Sequence, residues 1–240
     1  MSRLRDFEFR PEQQQMAVAV ARALEEDRPL VVEAGTGVGK SLAYLAPAVR
    51  LALEAGRKAI ISTHTINLQE QLVEKDIPLL QTVFSEPFRA LLLKGRRNYL
   101  CPLRLQIAMS GGPELFTTSE LEELKKIWEW AEKTSDGTLS DLDFVPSSRV
   151  WAQVCSESHA CTPKRCAGSG SCFYQEARKR IADAHLIVVN HTLFFTLLKG
   201  QSEFKETGDG FLFAKDFLVF DEAHTLEQVA ARQLGLSLSQ

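Results

Sequence analysis

The sequence predicts an α/β domain with a parallel sheet, interrupted by an insertion, and three observations carry that prediction. Over about the first ninety residues, short apolar runs alternate with longer helical patterns. The same strand pattern returns at Leu186–Val189 and again at Phe217–Phe220. Between them, from about Arg89 to Arg180, the character shifts to charged helix and a loop rich in Ser, Pro and Gly. The 240 residues are 45% hydrophobic and 25% charged, enough to bury a sizeable core. With 28 basic and 31 acidic residues the net charge is −3, so any nucleic-acid surface must be local. No uninterrupted apolar run reaches the roughly 18 residues of a membrane span. The opening MSRLRDFEFR lacks the apolar stretch of a secretory leader, so a cytoplasmic chain without membrane partners is expected.

Taken in order, Leu30-Val31-Val32 reads as a strand before a glycine-rich turn. Lys40 to Ala55 is a helix rich in Ala and Leu, closed by Gly56, with Pro47 expected to kink or break it. Ala59–Ser62 is a second strand, followed by a helix around Asn67–Lys75, and Ala90–Leu93 a third strand. From Pro87 to Pro113 there is no acidic residue; from Glu114 to Asp143 nine acidic residues face three lysines. Ser119 and Glu122 have capping-box spacing at the head of a helix running to about Lys133. Val145 to Ser171 reads as loop.

Glu33 to Ser41 reads EAGTGVGKS, the phosphate-loop pattern G-x-x-x-x-G-K-[ST] with Ala34 in place of the first glycine. Gly35, Gly37 and Gly39 can take positive φ, so that backbone from Ala34 through Thr36 and Val38 turns its N–H groups around phosphate oxygens. Lys40 would reach the outer phosphates and Ser41 would ligate Mg²⁺, with the helix N-terminus aimed at the anion. The other half of such a site is an acid at the end of another strand. Phe217–Phe220 ends in Asp221-Glu222-Ala223-His224, where Asp221 suits the metal and Glu222 suits the attacking water.

The cysteines are Cys101, Cys155, Cys161, Cys166 and Cys172. Free buried thiols rarely bunch in a polar loop, and disulfides are disfavoured without a secretory leader. The run C-x₄-C-x₅-C fits a zinc knuckle less well than a cluster held by four thiolates on irregular loops. Zinc and iron–sulfur both remain open on the residues alone. His159 reads as a solvated loop residue.

Together EAGTGVGKS and DEAH resemble motifs I and II of the superfamily 2 helicases. Arg10-Pro11-Glu12-Gln13 resembles the upstream element whose Gln reads adenine, although alone it would be ordinary polar surface. Ser62-Thr63-His64-Thr65 through Leu72 is similar to motif Ia, which touches nucleic-acid backbone; alone, it reads as an amphipathic helix after a buried strand. Val188-Val189-Asn190-His191 and the phrase KGRRNYLCP at Lys94–Pro102 resemble the DinG-like branch of the XPD-type iron–sulfur DNA helicases. The resemblance implies a RecA-like P-loop lobe in two parts, 1–88 and 181–240, around a mainly helical and loop insert at 89–180. It implies ATP and Mg²⁺ as cofactors, and a 4Fe–4S cluster on Cys101, Cys161, Cys166 and Cys172, leaving Cys155 outside the set.

It further implies 5′→3′ movement on single-stranded or forked DNA, with repair or replication proteins as partners. Thr63, His64, Thr65, Lys94, Arg96, Arg97 and Tyr99 are the expected DNA contacts. Lys164, Arg165 and the run Arg178-Lys179-Arg180 add positive charge, and Phe173 and Tyr174 could stack on bases, while a salt-bridged helix face serves equally for 178–180. Trp128 and Trp130 read as packing. The second motor lobe and its arginine finger are not among these residues. Because such a finger contributes about 10³–10⁵ in rate, the alternative expectation is a module that binds nucleotide and DNA with little turnover alone.

Overall fold

The computed structural model describes residues 10–111, 116–158, 166, 172–200 and 215–235. The chain divides into two units, Met1–Leu93 with Asp183–Gln240, and Lys94–Ala182.

The first unit is built on a four-stranded parallel sheet of β1 (Ala59–Thr63), β2 (Ala90–Leu92), β3 (Leu186–Asn190) and β4 (Phe217–Phe220), in the order β2-β3-β1-β4. Ile60 lies opposite Ile187 on one side and Leu218 on the other, which aligns the carboxyl ends of β1, β3 and β4. Every residue of β1 and the first four of β3 are buried, as expected of strands covered on both faces. Helix α1 (Pro11–Glu25) packs against α2 (Lys40–Ala55), which lays Leu45, Ala48, Val49 and Ala52 on Ile61 and Val188. Gly56 closes α2 in the left-handed region, φ 60°, and the helix runs through Pro47 without ending. The α/β fold with a parallel sheet is therefore as the sequence predicts.

Two local expectations differ. Leu30–Val32 forms no strand: the run has no ladder partner, and Val31 is 95% exposed. An apolar run becomes a strand only when another edge receives its hydrogen bonds. The helix after β1 is α3 (Ile66–Gln71), which widens into a π-helical turn at Leu72–Asp76 before α4 (Ile77–Val83). Side-chain periodicity carries no signal for that single wider turn.

The second unit holds α5 (Pro102–Ser110), α6 (Thr118–Ala131), α7 (Ser148–Val154) and α8 (Phe173–Lys179) around a core of Leu100, Leu124, Ile127, Val150 and Val154. The capping box of α6 lies two residues earlier than expected. The Thr117 hydroxyl accepts from the Glu120 N–H, and the Glu120 carboxylate accepts from the Thr117 N–H at 2.8 Å. Two overlapping frames compete here, and apolar packing selects between them. Phe116 before the Thr117 cap and Leu121 four residues into the helix both join the core, whereas the Ser119 frame would put Thr118 and Glu123 there. The stretch read as loop from Val145 contains α7, capped by the Ser147 hydroxyl. Two further helices complete the first unit, α9 (His191–Gly200) directly after β3 and α10 (Leu226–Leu234) after β4. No described helix is long and apolar enough to cross a membrane.

Thr117→Ala should cost about 1 kcal/mol, while Ser119→Ala should cost less than about 0.5 kcal/mol, read as denaturant midpoints at constant slope.

Candidate functional site

The strand register brings the ends of β3 and β4 to the carboxyl end of β1, and Lys40 at the head of α2 brings the phosphate loop beside the acids that follow β4. The phosphate loop leads directly into α2. Gly37 and Gly39 take φ of 78° and 84°, conformations that favour glycine; Gly35 does not, so two of the three expected positions use that freedom. A Cβ on Gly39 would stand 2.2 Å from the Gln13 amide nitrogen, so a larger residue there would also displace the Gln13 side chain. Gln13 donates to the Gly39 carbonyl at 2.9 Å and Arg10 to the Gly37 carbonyl, which ties the start of α1 to the loop. Thr36 is exposed; Ala34, Val38 and Ser41 are half-buried. Lys40 folds back over the loop, donating to the Ala34 carbonyl at 3.3 Å.

β4 delivers the acids. The Asp221 N–H donates to the Ser62 carbonyl at 2.8 Å, extending the ladder by one bond and anchoring the residue beside β1. Thr63 donates to Asp221 Oδ2 at 3.5 Å. Glu222 then takes φ 55°, ψ 42°, a left-handed conformation costly for a residue with a Cβ, and this turns its carboxylate to 3.9 Å from Lys40 Nζ. Burial holds Asp221 above the usual aspartate range and the adjacent Glu222 charge adds to it, while Lys40 pulls the other way. Loop, lysine and both acids thus converge from opposite ends of the sequence.

His191, which the helicase-like NH element signals, joins the neighbouring strand ends. Its Nδ1 lies 2.7 Å from Ser62 Oγ in a fully buried pair, and burial lowers its pKa. Asn190 caps the turn into α9 by accepting from the Leu193 N–H. Thr63 is buried against Asp221, so it belongs to the acidic turn and not to an exposed nucleic-acid surface; His64 and Thr65 are exposed, Thr65 capping α3 through the Leu68 N–H. Sequence reasoning missed Tyr44 and Asp76, which both face Asp221. Tyr44 was legible as the residue three after Ser41 on one helix face; Asp76 was hidden by the π-helical turn.

In the second unit, two of the expected DNA contacts are internal. Lys94 is buried, its ammonium bonded to the Ser140 hydroxyl and its N–H donating to the Tyr99 hydroxyl at 3.1 Å. Tyr99 is buried edge-on against Tyr174, and burial pushes its pKa up to about 12. Base stacking on Tyr99 or on the buried Tyr174 is therefore precluded; these rings are core. Arg96 lies over the Tyr174 ring at 4.2 Å. Arg97 is 72% exposed at its side chain, with Glu157 at 3.5 Å. Lys179 pairs with Glu176 at 2.7 Å, the salt-bridged face that served equally well. The Trp130 ring donates to Asp141.

Cys101 is buried at the start of α5, and Cys172 is half-buried at the start of α8, as is Cys166 nearby in sequence. Cys155 is buried in the second core, its thiol donating to the Ala152 carbonyl and its own carbonyl accepting from Arg104. Cys161, Lys164, Arg165 and His159 lie outside the described residues. Among the described residues, no three His, Cys, Asp or Glu side chains are grouped to hold a metal ion.

Residues 10–95 match the DEAD/DEAH box helicase family. Over 236 residues the chain is 42% identical to ATP-dependent DNA helicase YoaA of Escherichia coli K12, covering 97% of this chain and 36% of the relative. It is 36% identical over 243 residues to ATP-dependent helicase DinG of Mycobacterium tuberculosis H37Rv, covering 92% and 36% respectively. A solved structure named XPD_Helicase aligns with 93% of this chain and 34% of its own, at 18% identity and a TM-score of 0.49. The chain spans about a third of the length of the curated relatives it matches. Residues 10–95 are thus similar to the DEAD/DEAH box helicases, and nearly the whole chain aligns with relatives named YoaA and DinG.

Proposed function

We propose that this chain is the nucleotide-binding lobe of an ATP-dependent DNA helicase that moves 5′→3′ on single-stranded DNA. One observation carries the reading most directly. The phosphate loop and the acidic turn, far apart in sequence, meet with Lys40 3.9 Å from Glu222 at the carboxyl end of a parallel sheet, where such folds bind ligands. In this reading the backbone from Ala34 to Gly39 and Lys40 hold the phosphates of ATP, and Arg10 and Gln13 stand beside the loop, Gln13 for the adenine edge. Ser41 and Asp221 hold Mg²⁺, which neutralises phosphate charge when bound. Glu222 orients the attacking water, and its left-handed backbone sets where that carboxylate points.

The unit Lys94–Ala182 is proposed as the 4Fe–4S insert, on Cys101, Cys161, Cys166 and Cys172. The donor set suits the group: four thiols, of which Cys101 and Cys172 stand at helix starts. The Tyr99–Tyr174 contact, with ring centroids 5.6 Å apart, draws together the segments two residues from Cys101 and from Cys172. Cys155, engaged with Ala152 in the core, is a packing residue. The cluster would cross-link these loops. His64, Thr65, Arg96 and Arg97 remain as the DNA contacts, on single-stranded or forked DNA in a cytoplasmic repair or replication setting.

Lys40→Ala should abolish ATP binding measured by calorimetry while leaving any brown colour of the purified protein. Cys166→Ser should bleach that colour and leave ATP binding intact; a colourless wild type with stoichiometric zinc would refute the cluster. Arg97→Ala should weaken single-stranded DNA binding and lower the slope of log affinity against log salt by about 1. A wild-type chain that binds neither ATP nor DNA would overturn the reading as a whole.

A further inference from the structure

Beneath the phosphate loop lie two polar side chains that the reading above leaves without a role. Tyr44 follows Ser41 by three residues and shares its face of α2. Only 3% of Tyr44 is exposed, and its hydroxyl, closed off from solvent, makes no hydrogen bond of ordinary geometry. It nevertheless faces Ser41, Asp221 and Asp76. Asp76 is the last residue of the π-helical turn, and its Oδ2 is likewise buried without a hydrogen-bond partner, facing Ser41 and Asp221. Buried hydroxyls and carboxylates are almost always paired, so two orphaned oxygens converging on one spot are unusual.

The local backbone fits a role beyond packing. A π-helical turn adds one residue per turn and rotates everything after it by about 100° relative to an unbroken α-helix. Asp76 ends this turn and faces Ser41. Two carboxyls, Asp76 and Asp221, then stand near one another in a partly buried setting. A divalent cation there would draw on both. Mg²⁺ keeps several of its waters and is held by only one or two carboxylates directly, so its site needs acceptors for those waters.

We propose that Asp76 and Tyr44 form the outer shell of the divalent-cation site whose inner protein ligands are Ser41 and Asp221. The Asp76 carboxylate accepts a hydrogen bond from a water on the cation. The Tyr44 hydroxyl donates to Asp221 and fixes which of its oxygens faces the metal. Both are positioning residues. The inference rests on the nucleotide-site reading and adds two residues to it.

The test is binding of ATP to the purified chain by calorimetry, across a Mg²⁺ titration and in excess EDTA, for wild type, Asp76→Asn and Tyr44→Phe. Asp76→Asn should raise the Mg²⁺ concentration for half-maximal effect by about tenfold or more, with ATP affinity in EDTA unchanged. Tyr44→Phe should shift it in the same direction by less. This variant should melt close to wild type without metal, yet gain less in melting temperature when Mg²⁺ and ATP are added. If Asp76→Asn does not fold, Tyr44→Phe decides alone. Wild-type Mg²⁺ dependence in the folded variants, or equal losses with Mg²⁺ and with EDTA, would overturn the outer shell while leaving the nucleotide site standing. A wild type that binds ATP with no Mg²⁺ dependence would overturn both.

Discussion

The parallel pairing of β1 with β3 on one side and β4 on the other is the constraint on which the rest of the first unit depends. Parallel strands leave the sheet at the same end, so one register decides where three loops emerge. Ser62 lies beside Val189 and Phe220, and the next positions are Thr63, Asn190 and Asp221. A slip of one residue in β4 would carry Asp221 away from the Ser62 carbonyl and reverse the faces on which Phe217 and Val219 pack. The buried apolar residues of the sheet therefore fix the acids as firmly as any hydrogen bond at the acids themselves. The buried Ser62–His191 pair locks the third strand end into the same frame.

The charge balance at this end of the sheet follows from the geometry. Asp221, Glu222 and Asp76 are acidic and the loop contributes Lys40, so negative side chains outnumber positive ones. Burial sharpens each interaction, because a charge with little water around it responds strongly to its neighbours. The backbone is pressed into the same service: a left-handed Glu222 is a local cost that the packed strand before it sustains, while Gly37 and Gly39 take the left-handed region without a side chain to oppose it.

Much of this was legible in the sequence, for reasons that can be stated residue by residue. β1, β3 and β4 are short apolar runs ending in polar residues, and α2 runs over the expected span because Gly56 supplies its left-handed stop. The parts that were not legible share a cause: they depend on partners remote in the chain. Leu30–Val32 has strand composition but no edge to pair with. Lys94 and Tyr99 look like a cation and a ring free for DNA until Ser140 and Tyr174 are seen to occupy them. The choice of Thr117 over Ser119 was decided by where Phe116 could be buried. At the candidate site, the loop and DEAH turn were visible as motifs and Tyr44 was legible from its spacing to Ser41, but Asp76 became visible only once α2 and the π-helical turn were placed side by side.

The point at which the second unit leaves and rejoins the first has a topological consequence. β2 and β3 are adjacent and parallel, Leu93 still donates to Val188, and the returning chain meets Arg89 through the Asp183 and His185 backbones. Lys94–Ala182, 89 residues long, is thus itself the crossover that any two parallel neighbours require, a job that about a dozen residues can do. Lengthening a crossover from about a dozen residues to this size adds roughly three doublings of loop length, at about 0.6 kcal/mol each. The sheet pays little for carrying a whole folded unit in that position, and a unit threaded there can change its length and contents while β2 and β3 keep their register.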